Sequence, residues 1–292
     1  MKFTVSKDQM LEGLQSVQSV VKTRTTLPVL SNVLVSAVED KVWLTATDLE
    51  VSVRVGVEAK IEKEGGTTLP ARRISSIFKE MPANEVKMET GSEEMTSIQS
   101  GPAFFKIIGI PQEDFPPLPS FEGGFTYVME QSALRDMLKQ TCYAVSSDET
   151  RYILNGELLS FKGEKLTVVA TDGRRLALIE NEVEFPEDAE RDLVVPTKTL
   201  DELIRTLGDE GTVRIQATDN QVSFEYDDLL VVSKLIEGTY PNFRQVIPAQ
   251  CEERVTVERE VMLAAARRMA LLTSDKSNSI RVMFGHNRIE IL

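Results

Sequence analysis

Hydrophobic and polar positions along the chain follow two periods, and each period predicts a different element. Apolar side chains recur at helical spacing through residues 10–21, directly after a short alternating strand at residues 3–5. Ser6 and Gln9 form a capping-box signature that predicts the start of this helix. Residues 51–57 place valine at every second position instead, which predicts a strand with one buried face.

The same series of elements occurs twice, at an offset of about 124 residues. Residues 27–34 align with residues 151–158, and residues 41–48 align with residues 165–172; the last two segments both end in Ala-Thr-Asp. A third copy begins near residue 251, and the chain ends within it. Each full copy is predicted to hold two helices and about eight strands. The predicted helices of the whole chain lie in the windows 7–24, 71–81, 131–145, 197–207 and 258–276.

The repeats predict an α+β fold built from tandem domains of one design. Residues 1–120 form the first domain, residues 121–248 the second, and residues 249–292 the first part of an incomplete third domain. Similar units that stack with quasi-symmetry form a ring when their rotation closes. Strands are expected in the third domain at residues 255–257, 280–284 and 289–292.

The net charge of -13 by itself argues against a nucleic-acid partner. The five helical windows taken together, however, hold more basic than acidic side chains, so the acidic excess lies in strands and loops. This distribution suits helices that line a channel facing phosphate, with acidic sheets outside. The alternative is that solvent-facing helices simply carry mixed charges.

Several classes of chemistry find no support in the sequence. His286 is the only histidine, Cys142 and Cys251 lie far apart, and no phosphate-binding loop or dinucleotide motif occurs, so no catalytic, metal or cofactor site is predicted. Asp48 and Asp172 each follow a strand at the same repeat position, which favours turn formation over a duplicated acid site. No apolar run reaches the roughly 18 residues of a membrane span, and no signal-peptide core is found, so a cytoplasmic location is expected.

Four motifs carry a resemblance to a known family. Residues 27–30, 151–156, 169–176 and 240–248 resemble the bacterial sliding clamp, the beta subunit of DNA polymerase III, and the likeness extends along essentially the whole chain. The resemblance implies a head-to-tail homodimer whose similar domains close a ring round duplex DNA. Such a clamp is a non-catalytic processivity factor of DNA replication that tethers the polymerase by topology.

The resemblance also implies partners and site residues. The implied partners are double-stranded DNA, the alpha subunit of DNA polymerase III, the delta subunit of the clamp-loader ATPase, and other polymerases and repair proteins that carry linear peptides. The implied DNA contacts are Arg24, Arg72, Arg73, Arg151, Tyr152, Lys198, Arg267 and Arg268. The implied peptide-binding cleft comprises Leu154, Thr171, Gly173, Arg174, Arg175, Leu176, Pro241, Gln245, Val246 and Ser277. The implied subunit interface comprises Arg73, Ile77, Phe105, Ile107, Leu271 and Leu272.

Some alternatives stay open at the level of sequence. Gln245 stands where the family can have arginine, and Ser277 where it can have an aromatic residue, so the rim of the cleft departs from the family pattern. Each basic residue could be an ordinary solvated charge, and each apolar cleft or interface residue could belong to a domain core. Asp148 places a negative charge in the second DNA loop. A second function fits the acidic charge: a repeat-built scaffold that binds peptides and does not encircle DNA.

Overall fold

The chain is folded into two compact units, Met1–Pro241 and Asn242–Leu292. The computed structural model describes residues 1–22, 25–121, 123–250, 253–273 and 279–292. The first unit contains both full repeats.

The first repeat has the predicted two helices and eight strands in its described residues. The helices α1 and α2 span Lys7–Gln18 and Ala71–Lys79. The strands β1 to β8 span Lys2–Ser6, Asn32–Val38, Lys41–Thr47, Val51–Lys63, Gly65–Pro70, Glu85–Thr90, Met95–Ser100 and Ala103–Ile108.

The second repeat follows the same plan, again with two helices and eight strands among its described residues. The helices α3 and α4 span Gln131–Thr141 and Thr197–Thr206. The strands β9 to β16 span Phe125–Glu130, Gly156–Phe161, Lys165–Thr171, Leu176–Glu182, Arg191–Pro196, Thr212–Ala217, Gln221–Tyr226 and Leu229–Lys234.

One antiparallel sheet continues from the first repeat into the second. Its strands lie in the order β8-β7-β6-β1-β4-β16-β15-β14-β9, so that β4 and β16 join the two repeats. Their register pairs Leu229 with Val55 and Ser233 with Val51. The ladder is extended at both ends, because the Gly56 amide donates to the Asp228 carbonyl and the Lys234 amide to the Glu50 carbonyl, each at 2.9 Å. The two repeats are therefore covalently consecutive and also share a sheet.

The four α-helices described in the first unit form a row in the order α2, α1, α4, α3, in which one hydrogen bond links α1 and α4. The α1 helix packs against α2, and α3 packs against α4. Across the junction between repeats, the Arg205 guanidinium on α4 donates to the Ser16 carbonyl on α1 at 3.1 Å. One buried hydrophobic cluster runs beneath the row from Phe3 to Val231. Burial of each large apolar side chain contributes about 1.5–3 kcal/mol to folding.

The predicted capping box at the start of α1 is not formed. Ser6 is the N-cap residue, but its side chain makes no capping bond to the helix. Instead its hydroxyl donates to Oδ1 of Asn84 at 3.1 Å, and that same Oδ1 accepts from the Asp8 amide at 3.4 Å. A side chain distant in sequence thus satisfies an amide of the first turn, which a local motif could not indicate.

The second unit contains one α-helix, one short 3-10 helix and one hairpin in its described residues. The helix α5 spans Arg259–Ala270, and the strands β17 and β18 span Val282–Gly285 and Arg288–Ile291. The strand predicted at 255–257 is wrong, because this stretch has no regular secondary structure. A groove of about 850 Å³ between α5 and the hairpin is lined by Val257, Val261, Ala265, Phe284, Ile289 and Ile291 among others.

Candidate functional site

Equivalent helix starts carry cations in both repeats. Arg72 and Arg73 follow Pro70 in the first turn of α2, and Lys198 follows Pro196 in the first turn of α4. All three residues point to solvent, because the buried residues of each helix lie on its other face. A cation at a helix N-terminus opposes the helix dipole, whereas an anion there is attracted by both. These positions are therefore better suited to binding phosphate than to stabilising the helices.

Lys198 also has an acidic neighbour from the first repeat. Its ammonium donates to Oδ2 of Asp48, and the Lys22 ammonium lies 3.7 Å from the same oxygen. The Asp48 side chain is 1% exposed, while those of Lys22 and Lys198 are 45% and 41% exposed. The predicted DNA contact Lys198 is thus held in place by a buried carboxylate.

The second predicted DNA loop is a 3-10 helix, Glu149–Leu154. In it the Arg151 guanidinium contacts Oδ2 of Asp148 at 3.0 Å and donates to the Asp172 carbonyl at 2.8 Å. Hydrogen bonds from Thr150 and Arg151 hold the pKa of the Asp148 carboxyl below its usual value. Arg151 therefore offsets the charge of Asp148, while Tyr152 stays 61% exposed beside it.

The remaining predicted DNA contacts fall in different places. Arg267 and Arg268 are exposed in the last turn of α5 in the second unit. Arg24 lies outside the described residues. The DNA-contact roles stay predictions for all of these residues.

The polar part of the predicted peptide cleft is the tight turn between β11 and β12. The Thr171 hydroxyl donates to the Arg175 carbonyl at 2.6 Å, and the Gly173 amide donates back to that hydroxyl at 3.1 Å. Oδ1 of Asp172 accepts from the Arg174 and Arg175 amides at 2.9 and 3.0 Å. These bonds fix the turn and leave the Arg174 and Arg175 side chains exposed.

Asp48 makes the matching turn in the first repeat. Its Oδ1 accepts from the Glu50 and Val51 amides at 3.0 and 2.9 Å. The interpretation of both aspartates as turn residues agrees with this geometry.

The glycine at the cleft turn meets a backbone requirement. Gly173 has φ of +83°, and a Cβ there would lie 3.1 Å from the Arg151 guanidinium. Any other residue would be strained in this conformation and would crowd the bond from Arg151 to Asp172. Gly173 thus lets the cleft turn and the 3-10 helix approach each other.

Apolar residues of the cleft lie near this turn within the first unit. Leu154 is 7% exposed, Leu176 is half-buried at the start of β12, and Pro241 is exposed. The buried Tyr240 beside Pro241 donates from its hydroxyl to the Val169 carbonyl at 3.5 Å. Leu154 thus belongs largely to the core, and Leu176 and Pro241 present apolar surface.

The structure adds one aromatic residue that the sequence did not single out. Tyr143 is 58% exposed, and the Arg175 guanidinium lies 5.6 Å from the centre of its ring. In the sequence Tyr143 lay inside the predicted helix window 131–145, where an aromatic residue is also typical of a core position. Tyr143 extends the exposed surface formed by Arg175.

The cleft residues assigned to the second unit are only partly described. Gln245 and Val246 lie in a 3-10 helix, Phe243–Val246, where Gln245 is exposed and Val246 is 69% exposed. Exposure of this valine argues against a place in the core of the unit. Ser277 lies outside the described residues.

The predicted subunit interface needs one correction in its first part. Phe105 is 38% exposed on the edge strand β8, and Ile77 is half-buried on α2, but Ile107 is only 2% exposed. The Ile107 side chain packs into the core of the first repeat, so it cannot also present a contact surface to another chain. Phe104 and Ile108, on the opposite face of the same strand, are 55% and 66% exposed.

The interface residues of the second unit are strongly exposed. Leu271 and Leu272 follow α5 directly, and their exposed fractions are 83% and 85%. Both leucines therefore present apolar surface to solvent, and their interface role stays a prediction.

A buried carboxyl lies in the core of the second repeat. Glu157 on β10 is fully buried; its Oε1 accepts from the Thr141 hydroxyl at 3.0 Å, and its Oε2 has no hydrogen-bond partner. Burial raises the pKa of this carboxyl to about 8, against the opposing effect of the Thr141 hydrogen bond.

The described residues contain neither a metal-binding cluster nor a helix that could cross a membrane. Among them, no cluster of three or more histidine, cysteine, aspartate or glutamate side chains is arranged to hold a metal ion. None of their helices combines the length and the apolar character needed to cross a membrane.

Comparison with protein families gives two adjoining matches. Residues 1–119 match the N-terminal domain of the DNA polymerase III beta subunit, and residues 128–242 match its central domain. The two matches correspond to the two repeats.

Individual relatives match over the whole chain. The beta sliding clamp of Chlamydia muridarum is 33% identical over 291 residues, which cover 100% of this chain and 80% of that protein. A crystal structure of the DNA polymerase sliding clamp from Bacillus subtilis has a TM-score of 0.95 and 33% identity, and covers 100% of this chain and 80% of that one. A sliding clamp from Pseudomonas aeruginosa bound to griselimycin has a TM-score of 0.94 and 32% identity, and covers 100% of this chain and 79% of that one.

Proposed function

The chain belongs to the bacterial beta sliding clamp family, and we propose that it acts on duplex DNA as a ring-forming processivity factor without catalysing a reaction. Sliding clamp function follows from the family. The finer proposal is that the ring is a head-to-tail homodimer of three-domain chains, with boundaries near residues 120 and 248, that works in the cytoplasm.

The observation that carries the DNA proposal is the row of α-helices that spans the two repeats. The row presents Arg72, Arg73 and Lys198 at helix N-termini, where the cations and the dipole both attract phosphate. Contacts of this kind hold the backbone without reading sequence, so DNA can slide past them. The negative charge of the rest of the chain keeps DNA from binding elsewhere.

The same chain is proposed to bind linear peptides of the polymerase alpha subunit, the clamp-loader delta subunit and repair proteins. Support comes from the β11–β12 turn, where Leu176 supplies apolar surface and Arg174 and Arg175 supply exposed polar groups, and from the exposed Pro241. Apolar surface with a few polar anchors suits an extended peptide with hydrophobic side chains.

Topology-dependent retention tests the clamp proposal against a scaffold that binds only peptides. The protein is loaded with a clamp loader onto nicked circular DNA and separated from free protein at high salt. Retention on the circle that is lost after a restriction cut supports the ring, because a sliding ring leaves a linear end. Failure to be retained on the circle, or retention that is indifferent to the cut, would contradict it.

A further inference from the structure

Asp48 divides its two carboxylate oxygens between two tasks. Oδ1 accepts the Glu50 and Val51 amides and so forms the turn between β3 and β4. Oδ2 is left for cations from elsewhere: the Lys198 ammonium donates to it, and the Lys22 ammonium lies 3.7 Å away. A turn alone would need only the first oxygen.

The two lysines come from different repeats. Lys22 follows α1 of the first repeat, and Lys198 is in the first turn of α4 of the second. They meet at Oδ2 of Asp48, which lies in the first repeat, so the ion pair with Lys198 crosses the junction between the repeats. The cluster therefore exists only because the two repeats are docked.

The balance of charge leaves the cluster cationic. One carboxylate faces two ammonium groups, so one positive charge is not offset within the cluster. The carboxylate is buried and the ammonium groups are about half exposed, so an approaching anion meets the lysines first. Burial alone would raise the pKa of Asp48, but the Lys198 hydrogen bond and the Val51 and Glu50 amides outweigh it, so the pKa lies below its usual value.

The equivalent aspartate of the second repeat is a useful contrast. Asp172 makes the same turn, but its Oδ2 pairs with Arg175 of that turn at 3.1 Å. Turn formation therefore does not require a lysine pair from two repeats. Formation of the turn therefore does not account for the contacts that Asp48 makes with Lys22 and Lys198.

We propose that Lys22 and Lys198 together form a contact for one phosphate of duplex DNA at the junction of the repeats, and that Asp48 is the residue that positions them. The inference rests on the proposed DNA clamp function and extends it to Lys22 and Asp48. Two ammonium groups that converge on one carboxylate oxygen are close enough to share the oxygens of one phosphodiester.

The experiment measures equilibrium binding of the 292-residue chain to a short fluorescent duplex by anisotropy over a salt series. Lys22→Ala should weaken binding and lower the slope of log Kobs against log salt by about 1, because one phosphate contact is lost. In the Lys198→Ala background, Lys22→Ala should cost less affinity than it does in the wild type, because the two lysines share a site.

Asp48→Asn separates positioning from charge. It keeps the turn acceptor Oδ1 and makes the chain less negative, so charge alone predicts tighter DNA binding, whereas loss of positioning predicts weaker binding. The matched control is Asp228→Asn, which removes another acid that pairs across the repeats, with Lys41 on β3. Lys41→Ala is the matched control for Lys22→Ala.

The outcomes separate the inference from the function on which it rests. If Lys22→Ala behaves like Lys41→Ala, or if Asp48→Asn tightens binding as Asp228→Asn does, the inference is overturned while the clamp function stands. If the wild-type chain shows no salt-dependent association with DNA, the DNA function itself fails. If Asp48→Asn does not fold, the comparison of Lys22→Ala, Lys198→Ala and the double variant still tests whether the two lysines share one phosphate contact.

Discussion

The Thr141 hydroxyl donates to Oε1 of Glu157 at 3.0 Å, and this buried pair occupies the positions that Val17 and Val33 fill in the first repeat. All four side chains are at most 1% exposed. Duplication thus preserved the packing positions, while the second repeat replaced an apolar pair by a hydroxyl and a carboxyl.

The first prediction concerns the effect of pH on stability through Glu157. Its pKa is raised from 4.5 to about 8 in the folded chain, chiefly by burial, so the folded state keeps a proton that the unfolded state releases. The stabilisation is fully present below about pH 4.5 and is lost as pH rises through about 8, with a slope of up to about 1.4 kcal/mol per pH unit. Urea unfolding across this range should show a steeper loss of stability with pH in the wild type than in Glu157→Gln, because burial also raises the pKa of Asp201 in both. Glu225→Gln, at an exposed position on β15, should behave like the wild type; equal slopes in the wild type and Glu157→Gln would refute the assignment.

The second prediction concerns the peptide surface. Leu176→Ala removes apolar contact area beside the β11–β12 turn, so the affinity for a clamp-binding peptide of the polymerase alpha subunit should fall about tenfold, or about 1.4 kcal/mol. Calorimetric titration measures the affinity. Leu178→Ala, two residues further along β12, is the control and should bind almost as the wild type does. Equal losses in both variants would mean that the strand as a whole, rather than the turn, supports binding.

The third prediction concerns the helix N-termini. Arg72→Gln should weaken association with duplex DNA at low salt and lower the salt slope by about 1, because one phosphate contact is lost. Anisotropy over a salt series measures both quantities. Lys60→Gln removes an exposed cation from β4 and should leave the slope unchanged. A slope that does not differ between the two variants would place Arg72 outside the DNA contacts.

The fourth prediction concerns self-association. Leu272→Asp places a charge on an 85% exposed leucine, and Phe105→Asp does so on the edge strand β8. In a head-to-tail interface, either variant should lower the tendency of the 32.6 kDa chain to dimerise, and an equimolar mixture should recover part of it, because one intact pair of surfaces remains. Sedimentation over a concentration series measures the mass. If the mixture dimerises no more than either variant alone, contact between the Leu272 and Phe105 surfaces is excluded.

The sequence was sufficient to predict the repeat architecture because the relevant information is local. The α1 and α2 helices and the alternating strand β4 each carry their period within one segment, and a second copy repeats it. The turn at Asp48 was equally local, since the bonds that Oδ1 accepts to form it come from Glu50 and Val51.

The features that the sequence did not predict depend on partners distant along the chain. The role of Asn84 at the start of α1 and the meeting of Lys22 with Lys198 both require the folded structure. The strand expected at 255–257 had the right alternation, but a strand forms only where a neighbour accepts its hydrogen bonds. Ile107 was assigned to the interface by family resemblance, and such a match does not reveal that the side chain is buried in the core of this chain.

The ladder between β4 and β16 has a mechanical consequence. Five residue pairs, from Leu229 with Val55 to Ser233 with Val51, must all slip or break together for the repeats to hinge apart. We therefore expect the joined sheet to resist bending at the junction between the repeats. A protein that opens a ring of such chains would therefore be expected to break a contact other than the β4–β16 pairing.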